Sequence, residues 1–280
     1  MTDRYAVLGD PISASLSPAI HMAWIRDARL DATYTAMRVE AGRLVDLLSA
    51  FRDEGGRGAN VTLPLKEEAW ALSTNLSDTA RAIGAVNTLR LDSNKVIHGD
   101  NTDAVGFASD FQDQAGEPDR DSKLVMIGAG GAARAVVYAL GKSGYRLAIC
   151  NRTLSRAKAL ERIYSATTPE QTARVTSHPI EDLPALLEWA DIVINATSLG
   201  HSGQSLPWPS GRDRFVYDLS YGTAASAFLA PAQTAGWRTA DGLGMLVGQA
   251  AASFDIWFGI KPDVRRGFEA AEAILKDRNQ

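Results

Sequence analysis

The sequence is poor in cysteine: Cys150 is the only one in 280 residues. No intrachain disulfide can form, and a cysteine-rich zinc site is excluded. The chain suits a reducing compartment. Histidine is scarce as well. His21, His98, His178 and His201 are scattered, with no spacing that suggests metal ligation. No stretch approaches the ~20 apolar residues that span a bilayer. The chain meets Thr2, Asp3 and Arg4 at once, without the apolar run of a signal peptide. A cytoplasmic protein with no membrane partner is expected. Nor is there an excess of positive charge: 29 Lys plus Arg face 33 Asp plus Glu, a formal net charge of −4. That balance argues against broad electrostatic binding to nucleic acid or anionic membrane, while leaving room for a local basic site for one small anion. Internal repeats and low-complexity segments are absent.

What is present is an ordinary globular composition, 45% apolar and 22% charged. At roughly 100–200 residues per domain the length suggests two domains, each able to bury a core without staples. Short β-prone runs alternate with helical patterns, the signature of an α/β protein. Strands are expected over 5–8, 32–38 and 58–62, and helices over 18–26, 43–52 and from Lys66 onward. Segments 85–90 and 95–98 read as a hairpin about Asp92-Ser93-Asn94. The polar stretch 112–122 reads as a surface loop near a domain boundary. Further strands are expected over 123–127, 146–150, 191–195 and 215–218, with helices over 132–141 and 155–163. Segment 200–212 reads as a mobile loop. The chain ends in a helix with Phe268, Ala271, Ile274 and Leu275 on one face.

The run from Leu124 to Arg134 reads strand, tight glycine turn, helix. Gly128 and Gly130 permit the turn and let backbone N–H groups approach a pyrophosphate, with the positive end of the helix dipole behind them. Ala133, in the third glycine position, is small enough for helix–strand packing. A glycine-rich turn without ligand is the plainer alternative. The next strand end discriminates further. An NAD-selective site carries Asp or Glu about 20 residues past the first glycine, whereas this chain has Asn151-Arg152-Thr153 and then Arg156. No carboxylate repels a 2′-phosphate there, and the Arg152 guanidinium can meet one with paired hydrogen bonds. The pattern points to NADP, against the plainer reading of two solvated arginines at a helix start.

The first hundred residues carry dense polar punctuation. Ser15 and Ser17 lie just before a helix, where hydroxyls and free N–H groups suit a carboxylate or simply cap the helix. Asn60 and Thr62 alternate at a strand end, so their side chains are expected on one face. Lys66 follows at a helix start, where it opposes the dipole. Asn101-Thr102-Asp103 forms a second polar cluster. A Lys–Asp pair facing an alcohol could relay its proton while hydride leaves the carbon. His21 reads as a packed or capping histidine, His98 and His201 as solvated, Cys150 as an inert core residue, and Trp24, Trp70 and Trp257 as packing.

The chain resembles the shikimate dehydrogenase family over nearly its whole length. The matching pieces are GDPISASLSPAIH (9–21), GANVTLPLKEEA (58–69), AIGAVNTL (82–89), GDNTDAVGF (99–107), GAGGAARA (128–135), NRT (151–153), INATSLG (194–200) and DGLGMLVGQAA (241–251). The resemblance implies two domains around a cleft. Residues 1–103 with 243–280 would form an α/β substrate domain, and 104–242 a Rossmann domain for NADP. Lys66 and Asp103 would be the catalytic pair. Ser15 and Ser17 would bind the substrate carboxylate. Asn60, Thr62, Asn87, Asp103 and Gln249 would hold ring hydroxyls, and Tyr221 would also reach substrate. Gly128, Ala129, Gly130, Gly131 and Ala132 would cradle the cofactor, with Asn151, Arg152, Thr153 and Arg156 as the adenosine-phosphate clamp. Asn195, Thr197, Leu219, Gly242 and Met245 would line the cofactor and its nicotinamide. The implied reaction is reversible NADPH-dependent reduction of 3-dehydroshikimate to shikimate, on the route to chorismate and the aromatic amino acids. It needs no metal, and a monomer or homodimer is expected. Two departures stand out: Ala14 replaces the usual His of the HSxSP piece, and Ala104 replaces the usual Gly after Asn-Thr-Asp. The alternatives are a quinate/shikimate dehydrogenase or a paralogue with altered substrate or NAD use. A non-catalytic ligand sensor is a further alternative, opposed by the retained Lys66 and Asp103.

Overall fold

The computed structural model describes residues 2–92, 94–116, 118–167, 174–200 and 206–278. The chain divides into two compact units: Met1–Gly106 with Leu246–Gln280, and Phe107–Met245. Among the described residues no helix is long and apolar enough to cross a membrane.

The first unit is built on a six-stranded sheet in the order β2-β1-β3-β5-β6-β4. Its strands are β1 (Asp3–Gly9), β2 (Ala32–Arg38), β3 (Gly56–Val61), β4 (Asn75–Leu76), β5 (Thr88–Leu91) and β6 (Ile97–Asp100). β1 runs parallel to β2 and β3, while β5 is antiparallel to both β3 and β6. The carboxyl ends of β1, β3 and β6 and the amino end of β5 therefore share one edge of the sheet. The polar segments expected to carry function all emerge there. One face buries Ala6, Leu8, Val61 and Leu89 beneath helix α2 (Leu44–Asp53), which contributes Leu44, Leu48 and Phe51. No side chain of its own caps α2. Glu68, from α3 (Lys66–Leu72), accepts hydrogen bonds from the N–H groups of Gly42 and Leu44 instead. α1 (Ser17–Asp27) starts with Pro in its first turn and packs along α11 (Val264–Arg278), where Gly267 leaves room for the Trp24 ring. α4 (Asp78–Ile83) is capped at one end by Ser77 and closed at the other by Gly84 at φ 71°.

The second unit holds six parallel strands in the order β12-β11-β10-β7-β8-β9. They are β7 (Lys123–Ile127), β8 (Arg146–Asn151), β9 (Val175–Pro179), β10 (Ile192–Asn195), β11 (Phe215–Asp218) and β12 (Arg238–Ala240). Renumbered from β7, that order is 3-2-1-4-5-6, the doubly wound dinucleotide-binding arrangement, with its switch point between β7 and β10. One face is covered by α5 (Asp103–Ala115), α6 (Gly131–Ser143) and α7 (Leu154–Thr167) through Phe107, Phe111, Val136, Leu140 and Leu160. The other is covered by α8 (Leu183–Trp189) and α9 (Gly222–Thr234) through Leu187, Phe228 and Leu229. Both faces are buried, so these strands read as continuous apolar runs.

The structure corrects three expectations. The loop expected over 112–122 is shorter, because α5 continues to Ala115. Phe107 and Phe111 hold it down, while the polar residues 112–114 are its outer face, and Gly116 at φ 77° ends it. Segment 206–212 is packed: Trp208 meets Phe228 and Trp237 edge-on at 5.5 and 5.4 Å. His98 is a strand residue of β6 whose Nε2 lies 2.7 Å from Asp92. His201 and the rest of 201–205 lie outside the described residues, as does Ser93 of the hairpin turn. Cys150 and Trp24 are buried, as expected.

Candidate functional site

In the first unit, the shared sheet edge joins residues far apart in sequence. Lys66 begins α3 just beyond β3, and Asp103 begins α5 just beyond β6. Lys66 Nζ donates to Asp103 Oδ2 at 2.6 Å, and the two side chains are only 12% and 6% exposed. Each helix start accounts for part of this. The positive end of α5 favours the Asp103 carboxylate. The misplaced cation at the start of α3 is offset by Glu67, Glu68 and the aspartate itself. Asp103 Oδ1 accepts from Asn87 Nδ2 at 2.9 Å, and the Asp103 N–H donates to Asn101 Oδ1 at 3.1 Å. The carboxylate is thus fixed from two sides, and it holds one of three ammonium protons. Chemically, this is a buried proton donor with an oriented counter-charge.

Asn87 lies at the centre of a wider network. Its amide also faces Thr102 Oγ1 at 2.9 Å and Gln249 Oε1 at 3.2 Å. Thr88, Thr102 and Ser253 exchange hydroxyl bonds at 2.7–3.2 Å. Asn60 donates to Ser253 at 2.9 Å and to the Asn87 carbonyl at 3.2 Å, while its Oδ1 accepts from Tyr34 Oη at 2.7 Å. Ser17 is buried at the start of α1. Ser17 N–H in turn donates to Ser15 Oγ at 3.3 Å, so Ser15 does serve the helix start. The structure therefore links Asn60, Asn87, Gln249, Asp103 and Lys66 through one set of contacts, while Ser15 and Ser17 pair with each other. Thr62 lies one residue beyond the end of β3, with its methyl against Gly9.

Sequence reasoning missed Tyr34, Thr88 and Ser253. Ser253 had a signal, since it follows Gln249 by four residues on α10 (Leu243–Phe258) and shares its face. Behind Tyr34, stacked at 4.2 Å and 8°, lies the fully buried ring of His21. Neither ring nitrogen has a hydrogen-bond partner among the described residues, since Asn60 is committed elsewhere. Burial pushes the His21 pKa down to about 3, against a smaller opposing pull from Asn60. It is a neutral packing group.

In the second unit the expected cofactor residues gather at the carboxyl ends of β7, β8, β10 and β11. Gly128 turns the chain at φ 102°, and a Cβ there would stand 2.8 Å from Thr197 and 3.0 Å from the Ala196 carbonyl. Gly130 is the N-cap of α6, with no side-chain cap and nothing within 4 Å of where a Cβ would be. Gly131 and Ala132 begin that helix, and Ala129 precedes its cap. Uncapped N–H groups at a helix start, with open space over the glycine, fit a pyrophosphate. At the end of β8, Asn151 Nδ2 donates to the Thr153 carbonyl at 3.0 Å, shaping the turn. Arg152 and Arg156 are exposed, and among the described residues neither has a side-chain partner. Two free guanidiniums and no carboxylate suit a 2′-phosphate.

Across the switch point, buried Asn195 donates to Asp218 at 3.1 Å and accepts from both the Thr197 N–H and hydroxyl. Leu219 N–H donates to the Asn195 carbonyl at 2.9 Å. Gly242 N–H reaches the Ser220 carbonyl at 2.8 Å, and a Cβ at Gly242 would stand 2.3 Å from the Leu219 carbonyl oxygen. Met245 is buried in the first turn of α10, and Tyr221 precedes α9. No group of three or more His, Cys, Asp or Glu that could hold a metal ion occurs among the described residues.

Comparison with known proteins finds matches over most of the chain. Residues 7–89 match the family described as shikimate dehydrogenase substrate binding domain, 112–202 that described as shikimate/quinate 5-dehydrogenase, and 242–267 that described as shikimate 5′-dehydrogenase C-terminal domain. The chain is 47% identical over 278 residues to the shikimate dehydrogenase (NADP(+)) of Hyphomonas neptunium, covering 99% of each. Its structure is similar to shikimate 5-dehydrogenase from Thermus thermophilus in complex with NADP(H) and shikimate. The TM-score is 0.79 and the identity 33%, with 97% of this chain and 99% of that one covered. It is also similar to quinate dehydrogenase from Corynebacterium glutamicum in complex with NAD, at TM-score 0.85 and 29% identity, covering 97% and 99%.

Proposed function

The chain belongs to the shikimate dehydrogenase family, and from that premise we propose that it catalyses the reversible NADPH-dependent reduction of 3-dehydroshikimate to shikimate. The observation that carries the reading is the buried Lys66–Asp103 pair at 2.6 Å. Bound NADPH supplies a hydride to the carbonyl carbon. Lys66 donates a proton to the carbonyl oxygen and is left as a neutral amine that solvent reprotonates. In the reverse direction the neutral amine takes the hydroxyl proton. Asp103 orients Nζ. Ser15 and Ser17 hold the substrate carboxylate. Thr62, Asn87, Asp103 and Gln249 hold ring hydroxyls, Asn60 joins them by exchanging one of its internal bonds, and Tyr221 also reaches substrate. Gly128 to Ala132 receive the pyrophosphate, and Asn151, Arg152, Thr153 and Arg156 the adenosine phosphate. Asn195, Thr197, Leu219, Gly242 and Met245 line the cofactor. Residues 1–103 with 243–280 serve the substrate and 104–242 the cofactor, in a cytoplasmic monomer or homodimer.

A quinate-directed reading has one supporting observation. Ala14 is exposed beside Ser15 and offers no polar group, and quinate carries one more ring hydroxyl to accommodate. Initial rates for shikimate and quinate against NADP and NAD decide between them. A dominant shikimate–NADP rate supports the proposal. A dominant quinate or NAD rate overturns it.

A further inference from the structure

Asp110 is a buried carboxylate that the reaction leaves unused. It lies on α5 between Phe107 and Phe111, and among the described residues no cation pairs with it. Its Oδ2 accepts from Tyr217 Oη at 2.5 Å and from the Met245 N–H at 3.1 Å, and Gln114 reaches Oδ1 at 3.5 Å. Gly244 makes this approach possible, since a Cβ there would stand 2.0 Å from Asp110 Oδ1. Burying a carboxyl without counter-charge is costly. Burial holds the Asp110 carboxyl above the usual range, and neighbouring Asp241 adds to the rise. An apolar side chain here would leave the Tyr217 hydroxyl and the Met245 N–H without their acceptor.

The position of this carboxylate explains the cost. The segment 242–245 is held at its start by the Gly242 N–H bond to Ser220 and the Leu243 N–H bond to Asp241 at 3.1 Å. At its far end Met245 packs into the core, and among the described side chains only Asp110 accepts from its N–H. We propose that Asp110 is a positioning residue for the cofactor, fixing the backbone of 242–245 so that it receives the nicotinamide end of NADP(H). Tyr217, rooted in β11, sets the carboxylate in turn. The proposal rests on the reading that this segment lines the nicotinamide.

The test compares two ligands on each variant: NADPH, and adenosine 2′,5′-bisphosphate, which reaches only the phosphate clamp. In Asp110→Ala the NADPH dissociation constant is expected to rise at least tenfold and kcat to fall at least tenfold. The bisphosphate constant and the KM for shikimate stay within twofold. Asp110→Asn, whose amide oxygen can take both the Tyr217 and Met245 donors, is expected to restore NADPH binding to within threefold of wild type. Equal weakening of both ligands, no change in either, or an Asn variant as poor as the Ala variant overturns the proposal. Should Asp110→Ala fail to fold, Tyr217→Phe carries the same comparison. A selective two- to fivefold loss for NADPH supports the proposal, and unchanged binding overturns it. Wild-type binding of NADPH without shikimate turnover would fail the functional reading separately.

Discussion

Lys66 Nζ and Asp103 Oδ2 lie 2.6 Å apart although 37 residues separate them. The antiparallel placement of β5 between β3 and β6 brings their helices to one sheet edge. Asp103 needs both its oxygens as acceptors, one for Lys66 and one for Asn87. Asp103→Asn must turn an N–H₂ toward one of those donors. Expected is a fall in kcat of roughly 10²-fold, the scale of general acid–base losses, with little change in NADPH binding. Steady-state kinetics with shikimate and NADP check it, and wild-type kcat would refute the orienting role.

Arg152 follows β8 where an acidic residue would select NAD. Arg152→Ala should weaken NADPH by roughly 10–150-fold, the range for losing a charge-assisted hydrogen bond of about 1.5–3 kcal/mol. NADH binding should change little. Titration of both nucleotides by fluorescence tests this, and equal losses for both would remove the 2′-phosphate assignment.

His21 ties stability to pH. Its pKa is about 3 in the folded chain against 6.5 for the free side chain. Between those values the unfolded chain holds more protons, so stability rises with pH across the window and is lost on acidification below about 6.5. The slope approaches about 1.4 kcal/mol per pH unit below the unfolded pKa. His21→Phe keeps the stack on Tyr34 and removes the titration. Its urea midpoint should fall less than that of wild type between pH 7 and pH 4.5. Parallel falls would contradict the assignment.

Gly128 has a left-handed φ of 102° and no room for a Cβ. Gly128→Ala should displace the turn against Thr197 and Ala196. An increase of at least tenfold in the NADPH dissociation constant is expected, measured on a variant whose circular dichroism matches wild type. Unchanged binding would show that the turn is not the pyrophosphate cradle.

The α/β class, most strands of both sheets and the glycine turn were legible because buried parallel strands and their flanking turns leave local signals. The 112–115 turn of α5 was not, since the outer face of an amphipathic helix resembles a loop in composition. Lys66 stood out by its helix-start position and Asp103 by its polar cluster, but their contact depends on strand order, which no local pattern carries. Tyr34, Thr88, Ser253 and Asp110 escaped notice for a related reason. Each is polar in an element that reads as packing, and only the fold shows that its hydroxyl or carboxylate meets another buried group.

The most direct test of the account is kcat for Lys66→Ala with saturating shikimate and NADP, beside the binary NADP dissociation constant. Loss of the proton donor predicts a fall in kcat of at least ~10²-fold, with the KM for shikimate changed less and NADP affinity unaltered. A Lys66→Ala enzyme turning over within a few-fold of wild type would show that the 2.6 Å pair is a structural ion pair and that the proton comes from elsewhere.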